Sequence, residues 1–186
     1  MRIVPALASA IRDASARYAV VISPNASDQG GITERLTQQG YTVLPPARSL
    51  DEIAQQIAET PGIDLVISLQ LPGPSTDLLI QQVRGRPALA ATPVLAVVSL
   101  QGYLELGKKY EDDPSTKITR QGVSDDQIVA AADQLIEASV GGPISEDEAQ
   151  EYKLRALSVL RDLAVSGNDV LKVSFASGPL VTALEQ

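Results

Sequence analysis

Residues 63–73, Ile-Asp-Leu-Val-Ile-Ser-Leu-Gln-Leu-Pro-Gly, limit the possible folds of this chain more than any other stretch. Leu65, Val66, Ile67 and Leu69 form a short, nearly continuous apolar run rich in β-branched side chains, and Leu71-Pro72-Gly73 stops it abruptly. A run this short, bounded by turn residues, reads as a strand buried on both faces. Two covered faces arise mainly in parallel sheets that carry helices on either side. In such sheets ligands and chemistry gather beyond the carboxyl ends of the strands, here around Ser68 to Gly73. No acid, base or strong nucleophile lies in that range.

The flanking sequence repeats the pattern. Tyr18 to Ser23 and Thr92 to Ser99 are two further buried strands, and Tyr41 to Leu44 is a shorter one closed by Pro45-Pro46. Thr116 to Arg120 is poorly apolar and belongs at a sheet edge. Helical stretches separate them. The first is capped by Ser27 or Asp28, turns Ile32 and Leu36 inward, and ends at Gly40. The second opens with a capping box of Ser49 and Glu52 and carries Leu50, Ile53 and Ile57. A third, opened by Ser75 or Thr76, carries Leu78, Leu79 and Val83, and a weak helix covers Gly102 to Tyr110. The last has a capping box of Ser124 and Gln127 and a stripe of Ile128, Ala131, Leu135 and Ile136. Five such alternations predict an α/β, doubly wound, five-stranded parallel sheet. The first, third and fourth strands are the most apolar and so the most central, which favours the order 2-1-3-4-5. The expected core is Val20, Val21, Ile22, Leu65, Val66, Ile67, Val94, Leu95, Ala96 and Val97.

Extra helices flank this domain, which spans residues 18–140. Residues 1–17 form a leading helix with Ile3, Leu7 and Ile11 on one face. Gly141-Gly142-Pro143 marks a boundary, and residues 144–186 form a helical tail. There Ser145 and Glu148 make a capping box for a helix to about Val165, with Leu157, Leu160 and Ala164 on its apolar side. After the ambiguous stretch Val170 to Phe175, Ser177 caps a last helix to Glu185 that carries Leu180 and Leu184. The tail weakly resembles the opening of an α-helical, HEAT-like repeat array. Such a helix pair needs a neighbour to cover its apolar face, so the expectation is a homodimer through the tail or further repeats in a larger protein.

Composition removes several classes of function. The chain has no Cys and no His, which excludes thiol catalysis, thiolate or imidazole metal sites and the usual general base near neutral pH. A net charge of −8 repels phosphate backbones, and 3% aromatic residues offer no stacking platform, so nucleic acid is not an expected partner. No apolar run suffices to span a bilayer and no secretory leader is legible. The expectation is a cytoplasmic protein without a membrane partner and without a cofactor. The first strand is followed by Ser23-Pro24-Asn25-Ala26-Ser27-Asp28-Gln29-Gly30-Gly31, whose glycines come too late for a dinucleotide fingerprint.

The order of elements, with Asp64-Leu65-Val66-Ile67, Leu71-Pro72-Gly73 and Thr92-Pro93-Val94-Leu95, resembles the receiver domains of two-component response regulators over Tyr18 to Ser139. The resemblance implies a flavodoxin-like, receiver-like fold. It also implies an acidic pair after the first strand that holds magnesium, a phospho-accepting Asp after the third, a Ser or Thr after the fourth and a Lys-Pro after the fifth. The matching positions here depart from that pattern. The acidic pair falls on Ser23 and Pro24, with only Asn25 following as it should. The acceptor falls on Ser68 or on Leu69, according to which end of the strand is aligned. The hydroxyl position falls on Val98, with Ser99 one residue on, and the Lys on Arg120 or Gln121, with Gly122 in place of the Pro.

Magnesium needs hard anionic oxygens, and phosphoryl transfer needs positioning and charge neutralisation. Asp64 cannot substitute, because it lies roughly 13 Å back along the strand. No base activates Ser68 or Ser99 as a nucleophile. The expectation is therefore a pseudo-receiver: a non-enzymatic module that meets a protein partner or a second copy, through the region Gly102 to Ser139 by analogy with receivers. A ligand-binding domain is the alternative, and it requires an open crevice beyond Ser23, Ser68 and Ser99.

Overall fold

The computed structural model describes residues 16–141 and 145–166. The chain divides into two compact units, one of Arg17–Pro143 and one that comprises Met1–Ala16 and Ile144–Gln186. Of the expected flanking elements, residues 1–15 of the leading helix, the stretch Val170 to Phe175 and the last helix with Leu180 and Leu184 lie outside the described residues, and Arg17, the expected last residue of the leading helix, opens the first strand instead.

In the first unit five strands alternate with five helices. They are β1 (Arg17–Ile22), α1 (Gly30–Gln38), β2 (Tyr41–Val43), α2 (Ala54–Glu59), β3 (Leu65–Leu69), α3 (Gly73–Gly85), β4 (Val94–Val98), α4 (Leu100–Lys109), β5 (Thr116–Arg120) and α5 (Asp125–Val140). A 3-10 turn, Ala26–Asp28, precedes α1. All strand pairs are parallel and the order is β2-β1-β3-β4-β5, as the apolarity of the strands predicts. β3 pairs Val66 with Val20 on one side and with Val94 on the other, and every residue of β3 is buried.

Strand alternation sorts the core into two layers. Ala19, Val21, Leu65, Ile67 and Val97 face α1 and α5, whose Ile32, Leu36, Ile128 and Leu135 cover them. Val20, Ile22, Val66 and Val94 face α2 and α3, which supply Ile57, Leu79, Ile80 and Val83. A smaller cluster of Ala96, Val98 and Leu106 lies under α4. All ten expected core residues are buried.

Several local details differ from the sequence reading. α1 takes Gln29 as its N-cap, without a side-chain cap, because Ser27 and Asp28 are used in the preceding 3-10 turn. The Ser49 hydroxyl accepts the Glu52 N–H, but the Glu52 carboxylate reaches past Ser49 to the Arg48 N–H, and the α-helix starts only at Ala54. α3 opens at Pro72 rather than at Ser75 or Thr76: proline already holds a helix-compatible φ, and its carbonyl accepts the Thr76 N–H. Leu78 is 56% exposed, since Thr76, Leu79, Ile80 and Val83 already fill the face turned to the sheet. The Ser124–Gln127 box forms in both directions.

A polar fastener ties the amino-terminal side of the sheet together. The half-buried Arg84 guanidinium donates to the carbonyls of Ala90, Thr92 and Ser115 and to the Thr116 hydroxyl. Asp113 stands 3.5 Å from it and accepts from the Ser115 N–H and the Thr116 hydroxyl. Partial burial alone would push the Asp113 carboxyl up, but these hydrogen bonds and the charge of Arg84 outweigh it and hold the pKa below its ordinary value.

In the second unit α6 (Glu146–Val165) begins with the Ser145–Glu148 capping box. Its buried line is Ala149, Ala156 and Leu160, which are seven and four residues apart. Of the expected stripe only Leu160 is buried; Leu157 and Ala164 are exposed, and Ala156 and Ala149 take their place in the buried line.

Truncating Leu95 to Ala should cost about 2–5 kcal/mol, and Val66 to Ala somewhat less, measured as a shift of the chemical denaturation midpoint. Arg84→Met should cost about 1–3 kcal/mol, because it strands three carbonyls in a half-buried loop. The Asp113 carboxyl has a depressed folded pKa, so its stabilisation is present above the unfolded value of about 3.9 and is lost as pH falls through the folded value. Asp113→Asn should flatten that part of the acid-unfolding profile.

Candidate functional site

The strand register brings the expected positions to one edge of the sheet. Ile22 pairs with Ser68, Ser68 with Ala96, Leu69 with Val97, and Val98 with Arg120. The residues after β1, at the end of β3, after β4 and after β5 therefore share the carboxyl edge, where α1, α3, α4 and α5 also begin.

The side chains are another matter. Ser23 is fully buried; its N–H donates to the Ala47 carbonyl at 3.1 Å and its hydroxyl accepts the Asn25 N–H at 3.3 Å. Pro24 and Asn25 are exposed. The Asn25 amide donates to Asp28 at 3.2 Å, so that carboxylate is engaged inside its own turn. Beside it Gln29, 2% exposed, donates to the Ala47 carbonyl at 2.9 Å, and its side-chain oxygen has no partner. Gln29 was not legible as an edge residue, because its partner Ala47 lies 18 positions away.

Both candidate acceptor positions are sealed. Ser68 is fully buried between Ile22 and Ala96, and its hydroxyl has no hydrogen-bond partner. Alternation puts it on the Val66 side, toward α2 and α3. Leu69 belongs to the opposite layer, with Val21 and Val97. The chain then turns at Gln70, whose φ of 55° is the only positive value of a non-glycine among the described residues. Its N–H still donates to the Val97 carbonyl at 2.9 Å, so the turn is tied to the sheet.

Val98 is buried, and a Cβ at Gly102 would stand 3.2 Å from the Val98 Cβ, a tight contact that the glycine in the first turn of α4 avoids. Ser99 caps α4, accepting the Gly102 N–H at 3.3 Å. Arg120 and Gln121 are exposed, and the Gln121 N–H donates to the Val98 carbonyl at 2.8 Å. Gly122, with φ of +91°, makes the turn beyond β5. The expected positions therefore offer two hydroxyls already used, those of Ser23 and Ser99, one hydroxyl out of reach of solvent, that of Ser68, and one exposed guanidinium, that of Arg120. No group of three or more His, Cys, Asp or Glu side chains converges to hold a metal among the described residues.

No family model matches the sequence, and no curated protein matches it. Among solved structures, the signal receiver domain of a signal transduction histidine kinase from Syntrophus aciditrophicus superposes with a TM-score of 0.52 at 18% identity, over 66% of this chain and 91% of that one. A sensor protein from Polaromonas sp. gives 0.52 at 14% identity, over 65% and 96%. The chain has the fold of a response-regulator receiver domain. The signal receiver domain of an HD domain-containing protein from Pseudomonas fluorescens agrees, with 0.51 at 18% identity over 68% and 98%. At these identities the likeness is one of fold, and within the receiver fold the strand order 2-1-3-4-5 is the shared feature.

A buried hydroxyl without a partner is a cost that removal relieves. Ser68→Ala should leave the denaturation midpoint unchanged or raise it by up to about 1 kcal/mol equivalent. Ser68→Asp, which buries a carboxylate in a sealed position, should lower it sharply. A strongly destabilised Ser68→Ala protein would mean that the hydroxyl has a partner.

Proposed function

We propose that this chain is a receiver-fold regulatory module of cytoplasmic signalling that takes no part in phosphoryl transfer, is not an enzyme, and acts through protein contacts. The observation that carries this reading is the carboxyl edge itself: Ser23-Pro24-Asn25, Ser68-Leu69, Val98-Ser99 and Arg120-Gln121 supply neither an acceptor carboxylate nor a carboxylate pair for magnesium. The alternative, a ligand crevice, requires an open space beyond Ser23, Ser68 and Ser99; Ser99 is exposed, and the burial of Ser23 and Ser68 weighs against it. No helix among the described residues is long and apolar enough to cross a membrane.

Support for protein contacts comes from α4. Leu100 and, one turn on, Tyr103 and Leu104 share its outer side, exposed, away from the buried Gly102 and Leu106. Apolar side chains grouped on one helix face mark an interaction surface more often than scattered ones do. On α6, Tyr152, Leu154, Leu157 and Val159 are likewise exposed, and a second copy of the chain is the partner proposed for that helix.

Incubation with acetyl phosphate and magnesium should leave the intact mass unchanged; a stable gain of one phosphoryl group would overturn the first part of the reading. Sedimentation equilibrium should show a dimer that Leu157→Lys weakens. A strict monomer at all concentrations would remove the second copy as the partner of α6.

A further inference from the structure

α4 is weakly anchored within the α/β unit. Two of its ten residues, Gly102 and Gly107, are glycines, each costing about 1 kcal/mol against Ala in a helix interior. Gly102 has a reason, the close approach to Val98. Gly107 has none within its own fold: a Cβ there would meet nothing within 4 Å. The apolar anchorage is thin as well. Leu106 is the only large side chain that α4 buries, against the small cluster of Ala96 and Val98. Segments with few buried apolar contacts open first.

The polar contacts at the far end of α4 converge on one residue of α3. Asp77 accepts from Lys109 Nζ at 2.7 Å and 2.8 Å, from the Tyr110 hydroxyl at 2.7 Å and from Gln81 Nε2 at 2.9 Å. Tyr110 is half-buried, packed on the clusters beneath both α3 and α4. The hydrogen bonds from Lys109 and Tyr110 hold the Asp77 carboxyl below its ordinary pKa, and burial and the nearby carboxylate raise the Tyr110 phenol. At the other end the two helices are neighbours: a Cβ at Gly73 would stand in ordinary contact, 3.7 Å, with the Gly102 Cα.

We propose that Asp77 is a latch and α4 the element it holds: the helix is weak by composition, opens as a unit over residues 100–110 while the sheet stays intact, and is kept shut by the Lys109 and Tyr110 contacts. Because the outward stripe of Leu100, Tyr103 and Leu104 rides on this helix, the latch also decides whether that surface exists in ordered form. The inference stands independently of whether the chain can be phosphorylated.

Amide hydrogen exchange on the full chain at neutral pH, resolved by peptide, tests this. Asp77→Asn and Asp77→Ala should speed exchange over residues 100–110 at least tenfold and leave β1, β3 and β4 unchanged. Gly107→Ala, which adds helix propensity where there is room for the methyl group, should slow exchange in the same segment and offset part of the Asp77→Ala effect in the double variant. Unchanged exchange at 100–110 in the Asp77 variants would overturn the proposal. So would acceleration spread evenly over the sheet, or a variant that fails to fold, since Asp77 would then be a general support rather than a latch.

Discussion

The double burial of β3 is the constraint on which the rest of the unit depends. Each of its residues is buried, and Val66, Ile67 and Ser68 are paired on both sides, Leu65 with β1 and Leu69 with β4. A slip of one residue would send Val66 into the α1–α5 layer and Leu65 and Ile67 into the α2–α3 layer. It would also move Ser68 from one core layer into the other. The Gln70 turn opposes such a slip: its left-handed backbone and its hydrogen bond to Val97 end the strand at one place, and Leu71-Pro72 leads directly into α3.

That same register is why the carboxyl edge carries so little chemistry. A strand buried on both sides delivers a reactive group to the edge only through its last residue, and here that residue is Leu69, drawn into the apolar layer with Val21 and Val97. Ser68, one step back, is covered completely. Ser23 and Ser99 serve the backbone, one in the turn after β1 and one as the cap of α4. Hydroxyls committed to backbone N–H groups at turns and caps are structural devices.

Polar fasteners do their work away from this edge. Arg84 closes the loops that lead into β4 and β5, and Asp77 joins α3 to the end of α4. The shifts in the pKa values of Asp77 and Asp113 are the electrostatic record of these contacts. Perturbed carboxylates often mark catalytic sites, but these two neutralise a Lys and an Arg at helix and loop junctions, where holding geometry is a sufficient role.

Local pattern alone determined a good deal of this protein. Apolar runs of β-branched residues marked β1, β3 and β4, and the poor apolarity of Thr116–Arg120 placed β5 at an edge, because burial on two faces leaves its mark on every residue of a strand. The capping boxes at Ser124 and Ser145 were legible because their partners sit three residues away. The candidate positions at the carboxyl edge were legible as positions, since strand ends follow from the turns after them. Their states were decided only in three dimensions. That Ser68 is sealed and that Leu78 faces out depend on which neighbours reach each face first. The Arg84 and Asp77 fasteners span about thirty residues to their far partners, and no local periodicity records a contact of that range; the parallel sheet brings the two ends together, and only then do their charges meet.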